Sequence, residues 1–285
     1  MIEYLLEPFQ YQYMVKAMLA CMIVGATCAF LSSYLMLKGW SLMGDALAHA
    51  IVPGVALAYV LSLPYAVGAF FTGLLASFSM SIVKQKTKLR EDAVIGLIFT
   101  SFLSIGLIII SIYPTSVNLN AIILGNILTI PNEDLWQVTI ISVVCLSILT
   151  LKWKDLKAIF FDENHAQSIG ISVNKQKILF FTLLSAACVA ALQTVGACLV
   201  IAMLITPGAT AYLLTDKFGK LIILAIILGS TTSMLGAYLS FFINTNPGGI
   251  IVCLQTLIFL IAYMFAPKYG TLSQARIQKR HGNHG

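Results

Sequence analysis

The chain has 285 residues, of which 59% are apolar and only 10% are charged, and its mean hydropathy is +0.92. A soluble domain is typically about 45–50% apolar and about 25% charged, so this composition excludes an ordinary soluble protein and predicts a polytopic membrane protein. The formal net charge of +6 comes from basic residues between the apolar runs and does not indicate nucleic-acid binding.

The apolar runs are each close to the roughly 17–25 residues that a membrane-spanning helix needs. They cover residues 13–37, 41–63, 65–83, 93–113, 135–151, 178–193, 197–215, 220–243 and 250–266. One helix over 178–215 would be about 57 Å long, too long for a hydrocarbon core of about 30 Å, so we expect a turn near 193–196. Because this turn leaves a short sixth span, the pattern predicts an all-α bundle of eight or nine transmembrane helices. The apolar stretch 120–128 is too short to cross and predicts a re-entrant or interfacial segment.

The lysines and arginines, apart from Lys16, all fall on one side of the predicted membrane. Since short basic connections stay on the cytoplasmic side, the N-terminus is predicted to lie outside and the C-terminus in the cytoplasm. We expect an N-terminal extracytoplasmic or interfacial segment at 1–12 and a basic cytoplasmic tail at 268–285. The transmembrane domain between them covers 13–267, with a cytoplasmic connection at 152–177.

Asp45 is the only carboxylate, and His49 the only histidine, within an apolar run. Being four residues apart, they lie one turn apart on the same face of a helix. A charge in the bilayer core costs roughly 2.5–3.5 kcal/mol, which makes such residues candidates for function. Their oxygen and nitrogen suit a divalent first-row metal, but water, backbone carbonyls, a substrate-delivering partner or a second copy of the chain must complete the shell. The alternative is a hydrogen-bonded pair that fixes helix packing.

Two proline–glycine pairs, Pro53–Gly54 and Pro207–Gly208, interrupt apolar runs. Proline removes a helical hydrogen bond and kinks the helix. Broken helices at membrane depth often border the substrate route of transport proteins, although an ordinary packing kink is the alternative. Further candidates for completing a metal shell are Asn118, Asn120, Asn126, Gln193 and Thr206.

Residues 160–171 carry the signals of a short helix outside the membrane. Asp162 suits the N-cap, Glu163 complements the helix dipole, and Gly170 suits the left-handed position that ends the helix. We expect about two turns that present Phe160, Phe161 and Ile169 beside polar residues. Such a helix is either a connector on the membrane surface or a protrusion that docks into a soluble partner.

Several residue patterns indicate packing rather than chemistry. The six cysteines all fall in apolar runs without a CxxC pair, which indicates neither a disulfide framework nor a thiolate metal site. Small residues at helix spacing, which let helices approach closely, occur at Gly68, Thr72 and Ala76 and at Gly229, Ser233 and Ala237. The sequence has no GxxxxGK(S/T), HExxH or GxSxG pattern, so we do not expect an enzyme.

Residues 42–50, followed by 53–57, resemble the signature of the ABC-type manganese/zinc/iron permease family. Residues 124–128, 161–170, 193–196 and 204–211 resemble that family's outer segment, coupling region and late-membrane motif, in the same order. The resemblance implies a homodimeric permease in a bacterial inner membrane, with two cytosolic ATP-binding subunits and an extracytoplasmic metal-binding protein.

The resemblance also implies roles for individual residues. Asp45 and His49 would contact the ion in transit, and Asp162, Glu163, Ala166 and Gly170 would couple the permease to the ATPase. The predicted function is therefore the permease subunit of an ATP-driven importer of divalent transition metals, with no permanently bound cofactor. Manganese is the first choice, iron(II) the second and zinc the third, because a carboxylate–imidazole set with waters suits manganese. The alternatives are a self-sufficient proton-coupled secondary carrier and a structural membrane subunit.

Overall fold

The computed structural model describes residues 2–40, 42–113 and 130–266, and all regular secondary structure in these residues is α-helical. This confirms the all-α prediction, while the predicted segment 120–128 and the tail 268–285 lie outside the described residues. The helices are α1 (Ile2–Gln10), α2 (Gln12–Lys38), α3 (Met43–Ala50), α4 (Val52–Val60), α5 (Tyr65–Lys86), α6 (Glu91–Ile112), α7 (Asn132–Phe161), α8 (Glu163–Ser168), α9 (Val173–Val195), α10 (Ala197–Leu214), α11 (Phe218–Ile243) and α12 (Pro247–Phe265).

In the described part of the chain, 8 helical segments are long and apolar enough to cross a membrane. Helices α3 and α4 together form one of them, Met43–Val60, and α10 contributes a shorter apolar helix, Leu199–Leu214. The predicted eight or nine spans are therefore confirmed, with α10 as the segment on which the number depends.

The predicted division of 178–215 is found at Gly196, which separates α9 from α10 with φ 81°. Glycine adopts this left-handed conformation without the steric cost that a side chain would add. The prediction of a short sixth span was wrong, because α9 begins at Val173 and its polar first turn extends the helix into the predicted connection at 152–177.

Helix α2 lies at the centre of the bundle and packs against α7, α9, α10 and α11. Near its C-terminal end the buried Tyr34 donates a hydrogen bond to the Trp153 carbonyl oxygen at 3.0 Å. The Tyr34 ring lies 5.4 Å from Phe160, 5.9 Å from Phe180 and 5.1 Å from Phe218, measured between ring centroids. This aromatic cluster joins the ends of α2, α7 and α11 to α9.

Both predicted stripes of small residues lie at close contacts between helices. A Cβ atom added to Gly25 in α2 would lie 2.6 Å from the Gly229 carbonyl oxygen in α11. One added to Gly54 in α4 would overlap the backbone of Gly68 and the hydroxyl of Thr72 in α5. The spacing of these residues along their helices is what allows the backbones to meet.

The basic residues gather at one end of the bundle, which we call the basic end. It contains Lys38 at the end of α2, Lys84 in the last turn of α5, Lys177 near the start of α9 and Lys217 before α11. Ion pairs join α8 to α2 and α9, and the aromatic cluster joins α2 to α11. The positive-inside rule predicts that this end faces the cytoplasm.

Candidate functional site

Asp45 and His49 lie on one face of α3, as their spacing predicts. The distance from His49 Nε2 to Asp45 Oδ1 is 3.4 Å. In the single chain, 33% of the His49 side chain and 41% of the Asp45 side chain are exposed. The two groups are therefore neither buried as a closed pair nor separated, and both keep an accessible side.

Helix α3 is held in place by its other faces. Leu47, between Asp45 and His49, is fully buried. A Cβ on Gly44 would lie 2.9 Å from the Leu204 side chain of α10, so the two helices touch closely beside Asp45. The His49 ring lies 5.3 Å from the Phe99 ring of α6. Packing thus fixes α3 between α6 and α10 and leaves the Asp45–His49 face open.

The predicted interruption at Pro53–Gly54 is limited to one residue, Ile51, whose backbone stays in the right-handed helical region with φ −74° and ψ −24°. Helix α3 ends at Ala50, α4 begins at Val52, and Ile51 lies between them. Pro53 has no N–H with which to make the helical hydrogen bond back to the His49 carbonyl. The Thr72 hydroxyl of α5 lies 3.5 Å from the Ile51 carbonyl oxygen and supports the interrupted backbone. Pro53 thus removes the N–H donor that a regular helix would offer to the carbonyl of a candidate metal ligand.

The predicted interruption at Pro207–Gly208 was wrong, because α10 continues through Pro207. Helix α2 compensates for the proline by placing Ser32 against it. The Ser32 hydroxyl accepts a hydrogen bond from the Gly208 N–H at 3.1 Å and lies 3.3 Å from the Ile205 carbonyl oxygen, to which it can donate. A Cβ on Gly208 would overlap Ser32, so the glycine permits this approach. Pro207 and Gly208 are therefore found in a packing contact rather than in a break.

Within residues 2–40, 42–113 and 130–266, no cluster of three or more histidine, cysteine or carboxylate side chains could hold a metal ion. Asp45 and His49 thus remain a two-ligand set in the described part of one chain. Of the residues suggested for completing it, Asn118, Asn120 and Asn126 lie outside the described residues. The described cysteines are free thiols, and Cys21, Cys28 and Cys188 are fully buried as packing residues.

The short helix predicted at 160–171 is α8. The Asp162 carboxylate accepts hydrogen bonds from the N–H groups of Asn164 at 2.9 Å and His165 at 3.2 Å, which is the expected N-cap. Gly170 ends the segment with φ 85°. Ala166 is fully buried and packs against the ends of α7 and α9.

The apolar residues around α8 are not all presented to solvent. Phe161 is 59% exposed and Ile169 is 56% exposed, as predicted. The prediction for Phe160 was wrong, because its ring fills the aromatic cluster beside Tyr34 and Phe180. The exposed apolar surface around α8 is therefore smaller than predicted. It consists of Phe161, which precedes the helix, and Ile169, which follows it.

Sequence reasoning missed the ion pairs that tie α8 to the transmembrane helices. Glu163 Oε2 lies 2.7 Å from Lys177 Nζ of α9, and Glu163 Oε1 lies 3.4 Å from Lys38 Nζ at the end of α2. Burial raises the pKa of Glu163, but the hydrogen bonds and charges of Lys177 and Lys38 outweigh this effect and bring the pKa below its usual value. No spacing along the chain signals these contacts, because the three residues come from distant segments.

These ion pairs border a cavity of about 260 Å³ at the basic end, next to the start of α3. Met43, two residues before Asp45, lines it together with Glu163. Trp40 also lines the cavity, and its ring lies 5.7 Å from the rings of Phe160 and Phe181. The connection between α2 and α3 is thus held against the segments that flank α8, so the candidate coupling helix and the Asp45–His49 helix share one packed region.

Residues 10–266 match the model of the ABC 3 transport family. The chain belongs to this family. Members of the family are membrane-embedded transport subunits, and separate subunits carry the ATPase activity, so this chain is not an enzyme. The match covers nearly all of the described residues and confirms the resemblance to a metal-ion permease.

Relatives of similar length support the same assignment. The chelated iron transport system membrane protein YfeC of Yersinia pestis is 63% identical and is aligned over 99% of this chain and 97% of its own length. The manganese transport system membrane protein MntB of Synechocystis is 45% identical over 98% of this chain and 91% of its own length. A solved structure, PsaBC from Streptococcus pneumoniae in complex with Fab, has a TM-score of 0.85 and 34% identity over 96% of this chain and 100% of the matched chain.

The family, the bacterial relatives and the eight candidate spans identify a multi-pass protein of a bacterial inner membrane. As a family member the chain works with other subunits in an ABC importer. The self-sufficient secondary carrier is therefore not favoured.

Proposed function

We propose that this chain forms the membrane pathway of an ATP-driven importer of a divalent transition metal, and that Asp45 and His49 bind the ion during its passage. The observation that carries the proposal is the pair itself. A carboxylate and an imidazole lie 3.4 Å apart on an open face of a helix that packing fixes on its other sides. Helix α3 ends one residue after His49, and Pro53 offers no N–H to the His49 carbonyl.

The chemistry of this pair favours manganese as cargo, then iron(II), then zinc. A carboxylate oxygen, an imidazole nitrogen and water oxygens form the mixed, mostly hard ligand set that manganese accepts, whereas zinc is bound more tightly by soft or nitrogen-rich sites. Two relatives are named for manganese and chelated iron transport, which supports the first two choices.

An incomplete shell suits transport because an ion held by four protein ligands would leave slowly. Because this face of α3 is open, water, a backbone carbonyl or another chain can occupy the remaining coordination positions of the ion. We propose that a second copy of the chain supplies them, so that two Asp45–His49 pairs face one pathway in a homodimer. Two carboxylates would then neutralise the divalent ion, which agrees with the cost of a net charge inside a membrane.

We propose that α8 couples this pathway to two cytosolic ATP-binding subunits. Asp162 and Gly170 fix the two ends of the helix, Ala166 anchors its inner side, and Glu163 ties it to Lys38 near the start of the metal-binding helix. A displacement of α8 by a bound ATPase would therefore reach the connection between α2 and α3. An extracytoplasmic metal-binding protein is proposed to deliver the ion at the opposite end.

Metal uptake by cells that lack other importers tests the role of the pair. We expect Asp45→Asn, in the complete transporter, to lower manganese uptake at least 10–100-fold, the loss typical of removing even an outer-shell partner of a metal ligand. Asp134→Asn is the matched control, because this carboxylate lies in the first turn of α7 at the opposite end. Normal uptake by Asp45→Asn at normal expression would remove Asp45 from the mechanism.

A second experiment tests coupling. We expect Gly170→Asp to reduce co-purification of the ATPase and to reduce uptake, because an aspartate side chain at φ 85° strains the end of α8. Undiminished association and uptake would contradict a docking role. In vesicles that hold only this chain, we expect no concentrative uptake; uptake driven by a proton gradient would instead identify a secondary carrier.

A further inference from the structure

A groove separates α7 from α11 at the basic end of the bundle. Both helices pack against α2, and a cavity of about 570 Å³ lies between them. Phe30 of α2, only 2% exposed, lies at its floor. The side walls are formed by Thr150 and Trp153 of α7 and by Gly219, Ile222, Ile223 and Ile226 of α11.

The walls of the groove change from charged to apolar along α11. Lys217 and Lys220 line it at the start of the helix, and both side chains are exposed. Ile226 lies six residues beyond Lys220, or about 9 Å further along the helix axis. The groove therefore has two ammonium groups at the basic end and an aliphatic wall at greater depth.

Helix α7 contributes a matching rim. Trp153 faces the groove, and the Lys154 ammonium lies 5.9 Å from the centre of its ring. A tryptophan beside lysines is typical of the membrane–water boundary, where the ring lies at the level of the lipid headgroups. Asp216 is the one carboxylate in the connection between α10 and α11, so with Lys154, Lys217 and Lys220 the rim keeps a positive net charge.

We infer that this groove binds an anionic phospholipid, with its phosphate at Lys217 and Lys220 and an acyl chain along Ile222, Ile223 and Ile226. The lysines provide the complementary charge, and basic pockets between transmembrane helices on the cytoplasmic side recognise anionic headgroups in this way. The volume of the groove lies in the range of ordinary ligand sites. Its apolar floor suits an acyl chain, whereas a soluble anion would make no favourable contact with it. The lipid would fill the gap between two helices that make little contact with each other and so stabilise the bundle.

The site is independent of the metal pathway, since none of its lining residues belongs to α3 or α8. Native mass spectrometry of the purified chain tests it with phosphatidylglycerol and with phosphatidylcholine carrying the same acyl chains. We expect preferential retention of phosphatidylglycerol, and a weakening of roughly 10–30-fold in the double variant Lys217→Gln/Lys220→Gln. The matched control Lys86→Gln/Lys88→Gln removes two exposed charges from the end of α5 and should keep wild-type affinity.

A third variant separates a built groove from a merely basic surface. Thr150→Trp would fill the groove from α7 while leaving every lysine in place, and we expect it to weaken phosphatidylglycerol binding as much as the lysine variant does. Added phosphatidylglycerol should raise the unfolding temperature of the wild type and leave that of Thr150→Trp unchanged. Equal weakening in the two lysine double variants, full binding by Thr150→Trp, or equal stabilisation by inorganic phosphate would each overturn the proposal.

Discussion

The contact between α4 and α5 predicts that Gly54→Ala destabilises the protein. The added Cβ would overlap the Gly68 carbonyl and the Thr72 hydroxyl. Because one obstacle is the backbone of α5, relief requires a shift of a whole helix rather than a change of rotamer. This shift would occur three residues after the break at Ile51, so it would also disturb the backbone that follows His49.

The magnitude follows from two opposing terms. Overpacking of a well-packed site costs typically about 1–3 kcal/mol, and a backbone obstacle belongs near the upper limit. Replacing glycine by alanine within a helix returns about 0.5–1 kcal/mol. We therefore expect Gly54→Ala to lose about 2 kcal/mol, which corresponds to a decrease in Tm on the order of 5 °C.

Thermal unfolding of the purified protein in detergent measures this effect, with Gly96→Ala as the matched control. Gly96 lies within α6, and a Cβ there would meet no atom within 4 Å. The control should therefore be neutral or slightly stabilising. If Gly54→Ala and Gly96→Ala unfold at the same temperature as the wild type, α4 and α5 do not approach each other closely at Gly54.

Three further changes test other contacts. Glu163→Gln should lower the free energy of unfolding by about 1 kcal/mol at neutral pH, a modest value because water screens this partly exposed group. The pKa of Glu163 in the folded protein lies below its usual value of 4.5. The difference from wild type should therefore persist above pH 4.5 and disappear as the pH falls through the folded pKa. Ser32→Ala should lose about 1 kcal/mol, because the buried hydroxyl that accepts from the Gly208 N–H is removed. Gly170→Ala should lose about 1 kcal/mol from the left-handed backbone alone, since a Cβ there meets nothing within 4 Å. Thermal or chemical unfolding measures all three.

The controls are specific to each contact. For Ser32, Ser79→Ala removes a hydroxyl that bonds only within its own helix and should be nearly neutral. For Gly170, the control is again Gly96→Ala, which adds the same methyl group to a glycine with helical backbone and should not destabilise the protein. A pH-independent difference for Glu163→Gln would show that the ion pairs with Lys38 and Lys177 do not carry its effect.

The sequence was sufficient for features that depend on local spacing. The apolar runs located the spans, the four-residue interval placed Asp45 and His49 on one face, and Asp162 and Gly170 marked the ends of α8. Each of these depends on the backbone within one or two turns. Local spacing was therefore sufficient for the helices, for the shared face of Asp45 and His49 and for the ends of α8.

Features that depend on distant segments could not be foreseen. Pro207 looked like a break because its missing hydrogen bond is local, whereas the Ser32 hydroxyl that supports the intact helix comes from α2. Phe160 was expected on the surface because it lies at the start of the predicted short helix outside the membrane, yet the aromatic cluster from four helices buries it. The Glu163 ion pairs were missed for the same reason, since Lys38 and Lys177 are brought to it only by the packed bundle.

X-ray absorption spectroscopy of the purified transporter, loaded with the metal that it accumulates, tests the role of Asp45 and His49 most directly. We expect a shell of oxygen and nitrogen ligands with the multiple-scattering signal of imidazole, and we expect His49→Gln to lose that signal. His165→Gln, which changes a histidine on the exposed side of α8, should leave the spectrum unchanged. An imidazole signal that persists in His49→Gln would contradict the account.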